Sequence, residues 1–252
     1  MVFDITQIAA LAVLAFVAGL DFLFGSPISV WRPLIVGPLT GLILGDPMTG
    51  LVVGGLSELS VFGLRTFTNG GVLEPATGTI AAVILAISGA LQPQAAIPLA
   101  IPIGVLTLNI EVLVRSGSTV FAHWADRYAG GGRTRGIVLT GLLGSVFWGL
   151  SRAIPIAALA VSIETVNGLI ASVPAYVWSY IGVAGLLLPA AGIAALLNKL
   201  WKREYLPFYL LGFVLAAYLN ISLVGIALFA VALSGFKWYS QRGGESRPAE
   251  HQ

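Results

Sequence analysis

The chain has 252 residues, of which 57% are hydrophobic and only 10% are charged, and its formal net charge is +2. A soluble domain usually carries about 25% charged residues, so this composition excludes a disordered chain and an ordinary soluble enzyme. The low charge leaves no basic patch for nucleic acid, and the lack of cysteine excludes disulfides, Cys-ligated metals and thiol nucleophiles. The mean hydropathy of +0.93 indicates a polytopic membrane protein.

The apolar stretches predict an all-α fold. A spanning helix needs roughly 20 apolar residues, and several of these stretches are shorter while others are too long for one span. Short segments interrupted by Gly and Pro are typical of broken or re-entrant helices in transporters. We therefore predict about seven to nine helical crossings, re-entrant pieces included. In chain order the stretches are Ile5–Phe24, Pro33–Leu44, Gly50–Leu64, Ala76–Leu91, Ile97–Val114, Ile137–Ile163, Gly168–Leu197 and Leu206–Phe236.

Polar segments separate these stretches. No basic residue precedes the first stretch, so we expect it to be a retained helix and not a cleaved signal peptide. Val120–Tyr128, within the polar loop Arg115–Gly136, is predicted to form an amphipathic helix on the membrane surface, ended by Gly130–Gly132. We predict a single membrane domain, residues 1–236, followed by a polar cytoplasmic tail, residues 237–252.

Basic residues give the orientation of the chain in the membrane. They cluster in the loop that begins at Arg115, around Lys199–Arg203, and in the C-terminal tail. Because cytoplasmic loops are rich in Lys and Arg, all three clusters are placed in the cytoplasm. The chain between the last two clusters must then cross the membrane outward and return to the cytoplasm. This predicts two short helices that turn near Asn220.

A specific motif occupies Arg32–Glu58. It has an Arg-Pro opening, a glycine-spaced helix, a Gly-Asp-x-x-Thr-Gly turn and a Gly-Gly-x-x-Glu segment. This motif resembles the enzyme IIC subunit of the mannose/sorbose family of the bacterial sugar phosphotransferase system. Ala18–Asp21 is similar to the N-acetylgalactosamine and sorbose branch, and Arg152–Pro155 and Tyr205–Phe213 are further matches. Two segments, Phe22–Trp31 and Arg65–Thr79, depart from the family pattern. Both lie where a sugar could be contacted, so the identity of the sugar stays open.

The resemblance implies a multi-pass sugar permease of the bacterial inner membrane. Such a chain binds an amino sugar or hexose and carries it inward for phosphorylation by soluble IIA and IIB subunits. The resemblance also implies a membrane IID partner and assembly into a higher oligomer within the lipid bilayer. No catalytic residue, cofactor or metal is expected on this chain.

Two acids are candidate sugar ligands. Glu58 lies within an apolar stretch, where an ionisable residue usually faces a cavity or a partner, and its carboxylate can accept strong hydrogen bonds from sugar hydroxyls. Alternatively, Glu58 is a packing acid paired with Arg32 or Arg65. Asp21 ends the first stretch, where it either lines the cavity or caps the turn before Gly25.

A polar segment follows Leu64. A loop at membrane depth is tolerated only when it is buried in protein or lines water, so this segment is either a re-entrant sugar-binding loop or an ordinary extramembrane turn. Hydroxyl, amide and exposed backbone groups could supply convergent donors and acceptors. The candidates are Thr66, Thr68, Asn69, Gly70 and Gly71.

Other charged residues have structural interpretations. Glu111 and Arg115 are spaced i,i+4 and are predicted to form a pair. Arg152 is expected to pair with a buried acid such as Glu58 or Glu164, or to reach the membrane interface.

The glycine-rich motif makes a packing prediction. Gly37, Gly41 and Gly45 recur at four-residue spacing, which offers a groove to another helix, in a IID partner or within the chain. Asp46 is expected to be a turn residue that accepts hydrogen bonds from the following segment.

Two other function classes are alternatives. A phosphate-independent, ion-coupled carrier or a membrane scaffold could use Asp21 and Glu58. An intramembrane enzyme would need a nucleophile, a base and a stabilising group that converge, and the sequence has no motif of that kind.

Overall fold

The computed structural model describes residues 3–25, 27–64, 74–89 and 91–244, and this part of the chain is helical without strands, which confirms the all-α prediction. A short 3-10 turn, Arg203–Tyr205, precedes α9. The helices are α1 (Ile5–Phe24), α2 (Pro33–Leu44), α3 (Pro47–Leu64), α4 (Pro75–Ile87), α5 (Pro93–Gly130), α6 (Thr134–Val161), α7 (Ile163–Ala171), α8 (Ala175–Leu200), α9 (Leu206–Ala217) and α10 (Leu223–Gly244).

The first two helices have the bounds that the apolar stretches predicted. Asp4 caps α1 in a capping box with Gln7, and Gly25 ends that helix at φ +64°. Proline at the first position starts α2, and Gly45 ends it at φ +88°. A residue with a Cβ is strained at such positive φ values, so these glycines set where the helices stop.

The backbones of α2 and α3 touch. A Cβ added at Gly37 would lie 2.6 Å from the carbonyl oxygen of Gly50 and 2.7 Å from the Cα of Gly54. Likewise, a Cβ at Gly41 would lie 3.0 Å from the Cα of Gly50. The glycine groove of α2 was expected to hold a helix of a IID partner or a helix of this chain. The structure shows the second, because α3 fills the groove.

Helix α4 lies at the centre of the fold. It packs against α5, α2 and α3, and its residues from Thr79 to Leu85 are all buried. Helix α6 packs against both α1 and α5. A helix of 13 residues buried in this way agrees with the prediction of broken or re-entrant segments.

Four helices of the described chain, α1, α5, α6 and α8, are long and apolar enough to cross a membrane. Helix α5 continues without interruption to Gly130. The prediction of a separate surface helix at Val120–Tyr128 was therefore wrong, because the change to polar residues does not end the helix. The break predicted at Gly130–Gly132 is confirmed, and Gly132 has φ +67°.

The chain divides into two compact units, Met1–Asn198 and Lys199–Gln252. In the second unit, α9 and α10 form a pair of helices separated by a turn in which Asn220 has φ +52°, which confirms the predicted turn. The single membrane domain 1–236 and the tail 237–252 stay predictions.

Candidate functional site

Glu58 lies on α3 beside the first turn of α2. Its Oε2 accepts a hydrogen bond from the backbone N–H of Leu34 at 3.3 Å, and its Oε1 lies 3.8 Å from Nη1 of Arg32. The side chain of Glu58 is 17% exposed, whereas that of Arg32 is 48% exposed. An anion at a helix N-terminus is favoured by the helix dipole. The predicted pairing with Arg32 is thus present, while Arg65 lies outside the described residues.

Asp21, in the last turn of α1, holds the same segment of chain. Its Oδ2 accepts a hydrogen bond from the backbone N–H of Trp31 at 3.3 Å, and the residue is buried. The ring of Phe22 meets that of Trp31 edge-on, with centroids 5.5 Å apart. The two predicted acids therefore both accept hydrogen bonds from the segment that opens α2.

The other predicted ligands lie in residues 65–73, outside the described chain. They are Thr66, Thr68, Asn69, Gly70 and Gly71. The segment that contains them follows α3, which carries Glu58, and it ends at Glu74, directly before α4.

A buried charge cluster joins α4, α5 and α6. Nε of Arg152 lies 3.2 Å from Oε1 of Glu74, and its Nη2 lies 3.1 Å from Oε2 of Glu111. The side chains of Arg152, Glu74 and Glu111 are 1%, 5% and 8% exposed, respectively. The prediction that Arg152 pairs with a buried acid is confirmed, but the acids named as examples, Glu58 and Glu164, were wrong. Because its true partners are distant in sequence, no local spacing pointed to them.

The cluster has a second arginine. Nη2 of Arg115 lies 2.6 Å from Oε1 of Glu111, which confirms the predicted i,i+4 pair. The ring of Trp148 lies beneath both guanidinium groups, with its centroid 4.6 Å from Cζ of Arg152 and 5.3 Å from Cζ of Arg115. The two carboxylates and two guanidinium groups balance in formal charge, which lowers the cost of placing ions inside a membrane protein.

Glu74 also caps α4. It accepts hydrogen bonds from the backbone N–H of Thr77, at 2.7 Å, and from the Thr77 hydroxyl. One carboxylate thus fixes the start of α4, binds Arg152 and ends the segment 65–73. Phe22 contacts Arg152 as well as Trp31, because its ring centroid is 5.8 Å from Cζ of Arg152. Sequence reasoning missed Glu74 because it lies outside the apolar stretches and its partner Arg152 is 78 positions away.

Asp46 has the structural role that was predicted. Its carboxylate accepts hydrogen bonds from the Thr49 hydroxyl at 2.6 Å and from the Thr49 backbone N–H at 3.0 Å. These bonds, that from the hydroxyl first, lower the pKa of Asp46 below its ordinary value because they favour the ionised form. Within the described ranges, no group of three or more His, Cys, Asp or Glu side chains could hold a metal ion.

Comparison with known proteins gives a consistent result. A family model described as the PTS system sorbose-specific IIC component matches residues 5–235. The chain is 29% identical to the mannose-specific EIIC component of Escherichia coli, over 90% of this chain and 86% of that relative. It is 30% identical to N-acetylgalactosamine permease IIC component 1 of Escherichia coli, over 92% and 88% of the two chains.

Two solved structures agree. One, described only as a membrane protein, has a TM-score of 0.82 at 28% identity and covers 94% of this chain and 96% of its own. The other is a chain of the mannose transporter ManYZ in complex with microcin E492, with a TM-score of 0.60 at 28% identity, covering 95% and 97%.

Proposed function

Because this chain belongs to the sorbose-specific IIC family of the phosphotransferase system, we propose that it carries an amino sugar or a hexose past Glu58 and Asp21. The chain is a sugar permease component and a multi-pass protein of the bacterial inner membrane. Its substrate is a sugar, and it works with other proteins of that system. We further propose which kind of sugar it carries, which residues bind that sugar and which partner subunits it works with.

The geometry of Glu58 carries the proposal. An ionised carboxylate offers about four acceptor positions. Among the described residues Glu58 accepts one hydrogen bond, from Leu34, and its distance of 3.8 Å from Arg32 is too long for a second. The carboxylate thus keeps acceptor capacity for two sugar hydroxyls. Thr66, Thr68, Asn69, Gly70 and Gly71 complete the proposed site.

The proposed partners follow from the family. A IID subunit shares the membrane part, and soluble IIA and IIB subunits bring the phosphoryl group to the sugar as it reaches the cytoplasm. This chain moves sugar without a covalent intermediate, and the pair assembles into a higher oligomer. Movement of a sugar-bearing core against a scaffold would be expected from the broken helices.

The test is sugar binding to the purified Glu58→Gln complex. Gln keeps an acceptor for Leu34 and removes the charge, and Arg32 is half exposed, so no buried cation is left unpaired. We expect normal abundance and an affinity for the transported sugar that is roughly ten- to a hundredfold weaker. The matched control is Glu164→Gln, at an exposed position on α7.

A sugar-binding role and a packing role of Glu58 predict different outcomes. Lost abundance with intact affinity in the remaining protein would assign Glu58 to packing. Normal abundance with normal affinity would refute both a ligand role and a packing role.

A further inference from the structure

A cleft lies at the C-terminal end of α4, the end opposite Glu74. It has a volume of about 650 Å³ and is formed by the end of α4, the end of α7 and the start of α8. Ligand pockets usually measure about 300–1,000 Å³, so the cleft has room for a monosaccharide. Its lining includes Ser88, Gly89, Asn167, Ser172 and Trp178.

The cleft is distant from the proposed Glu58 site and from the buried charge cluster. Helix α8 starts at the cleft with Ala175, and its Gly192 packs against the backbone of Leu59, the residue after Glu58. The part of α8 from Ala175 to Gly192 spans about 26 Å, at about 1.5 Å per residue. Glu74 precedes the first residue of α4, and Ser88 follows its last. The 13 residues of that helix separate the two by about 20 Å, at about 1.5 Å per residue. A ligand of this cleft therefore does not touch the buried charge cluster.

Two polar side chains meet in the cleft. The Ser88 hydroxyl lies 3.1 Å from Oδ1 of Asn167 and 3.1 Å from the carbonyl oxygen of Leu85. Ser88 is buried and Asn167 is half-buried. Within the described chain, the amide nitrogen of Asn167 has no hydrogen-bond partner, so its two N–H groups can donate to a ligand.

Trp178 gives the cleft an aromatic wall. Its indole N–H donates a hydrogen bond to the carbonyl oxygen of Ile170 at 3.1 Å, which fixes the orientation of the ring. The half-buried ring also packs against the hydrophobic core. A fixed aromatic face suits the apolar C–H face of a pyranose, while amide and hydroxyl groups suit its hydroxyls.

The cleft is uncharged. Among the residues that the structure describes, those lining the cleft are apolar, hydroxyl-bearing or amide-bearing, without Lys, Arg, Asp or Glu. A phosphate group or a coupling ion would need an opposite charge. The ligand that this chemistry suits is a neutral polyhydroxy compound, such as a hexose or an N-acetylated amino sugar.

Helix direction indicates which face of the membrane the cleft opens to. Helix α5 ends near Arg127, and α8 ends at Lys199 and Leu200. Since basic residues favour the cytoplasm, the starts of both helices point to the outer face. The cleft lies at the start of α8, and Gly89 shortly precedes the start of α5.

We propose that this cleft is an outer-face capture site for the neutral sugar, separate from the site at Glu58. The proposal rests on the permease function above. Sugar from outside binds first between Trp178 and Asn167, and it then moves inward. Sugar that is supplied at the cytoplasmic face bypasses the cleft.

The test compares entry from the two faces. The complete permease carrying Asn167→Leu is assayed for uptake of radiolabelled D-mannose and N-acetyl-D-galactosamine by intact cells, and for phosphorylation of the same sugars added to inverted vesicles. We expect KM for uptake to rise by roughly two- to tenfold, the effect of one lost hydrogen bond, with KM in vesicles unchanged. The control is Asn109→Leu, the same exchange at an exposed position of α5.

Each outcome decides the proposal. An equal change at both faces, or no change at either, would overturn it. If Asn167→Leu does not accumulate, Trp178→Phe, which keeps an aromatic ring, replaces it under the same criteria. Glu58→Gln should raise KM at both faces, so a failure of the Glu58 site is distinguishable from a failure of the cleft.

Discussion

The contact between α2 and α3 and the contact among α4, α5 and α6 are built by opposite means. In the first, glycines let two backbones touch, and an added Cβ at Gly37 would meet an atom at 2.6 Å. In the second, Arg152 binds two glutamates through charged side chains with almost no exposure. Backbone contact depends on side chains being absent, whereas ionic contact depends on every charge being present. The two regions should therefore fail under different substitutions.

The largest effect is expected at Arg152. Arg152→Met leaves Glu74 and Glu111 without their buried cation, and breaking a buried ion pair in this way costs about 3–5 kcal/mol. We expect the variant to be nearly lost from membranes, as measured by immunoblot, with a lower thermal midpoint for any protein recovered.

The matched control is Arg115→Met. This arginine is 59% exposed, and Glu111 keeps Arg152 as its buried partner, so we expect a loss close to the roughly 0–1 kcal/mol of a surface ion pair. Adding Glu74→Gln and Glu111→Gln to Arg152→Met should restore part of the stability, because no unpaired buried charge remains. Equal losses in the Arg152 and Arg115 variants would contradict an ionic core centred on Arg152.

The α2–α3 contact should be sensitive to a single methyl group. Gly37→Ala forces the two backbones apart, and overpacking of this kind costs about 1–3 kcal/mol. Gly55→Ala is the control, since a Cβ at Gly55 has nothing within 4 Å. The thermal midpoint of the purified protein should fall for the first variant and stay level or rise for the second. A fall of equal size in both would show that backbone contact is not the cause.

The smallest effect concerns Asp46, in the turn between the same two helices. Its pKa lies below the ordinary 3.8, because bonds from Thr49 favour the ionised form. That stabilisation is present above the ordinary pKa and is lost as the pH falls through the lowered value. Thermal midpoints of Asp46→Asn and the unchanged protein should therefore differ near neutral pH and converge in strong acid. A constant difference across that range would argue against the carboxylate.

Local features were predictable from the sequence, and distant pairings were not. The bounds of α1 and α2, the turn at Asn220 and the Glu111–Arg115 pair all depend on residues a few positions apart. Arg152 pairs instead with residues 78 and 41 positions away. Several acids in the chain were chemically suitable, and only the packing of α4 and α5 against α6 selects among them.

The candidate sites divide in the same way. The proposal for Glu58 and Asp21 starts from ionisable groups in or beside apolar stretches, which a sequence displays directly. The cleft at Ser88 and Asn167 gives no such signal, because both residues are small and uncharged and lie 79 positions apart. Only the fold brings Trp178 beside this pair of polar groups.

The unbroken length of α5 has a consequence for its reach. Its 38 residues extend about 57 Å, at about 1.5 Å per residue. Membrane helices tilt by at most about 40°, so crossing a hydrocarbon layer about 30 Å thick uses about 26 residues. About 12 residues, or roughly three helical turns, are then left outside the acyl chains, and the charged and polar side chains of His123, Asp126 and Arg127 favour the end before Gly130 as the part that water solvates. This end of α5 presents its polar side chains outside the hydrocarbon layer, where water-soluble proteins can approach them.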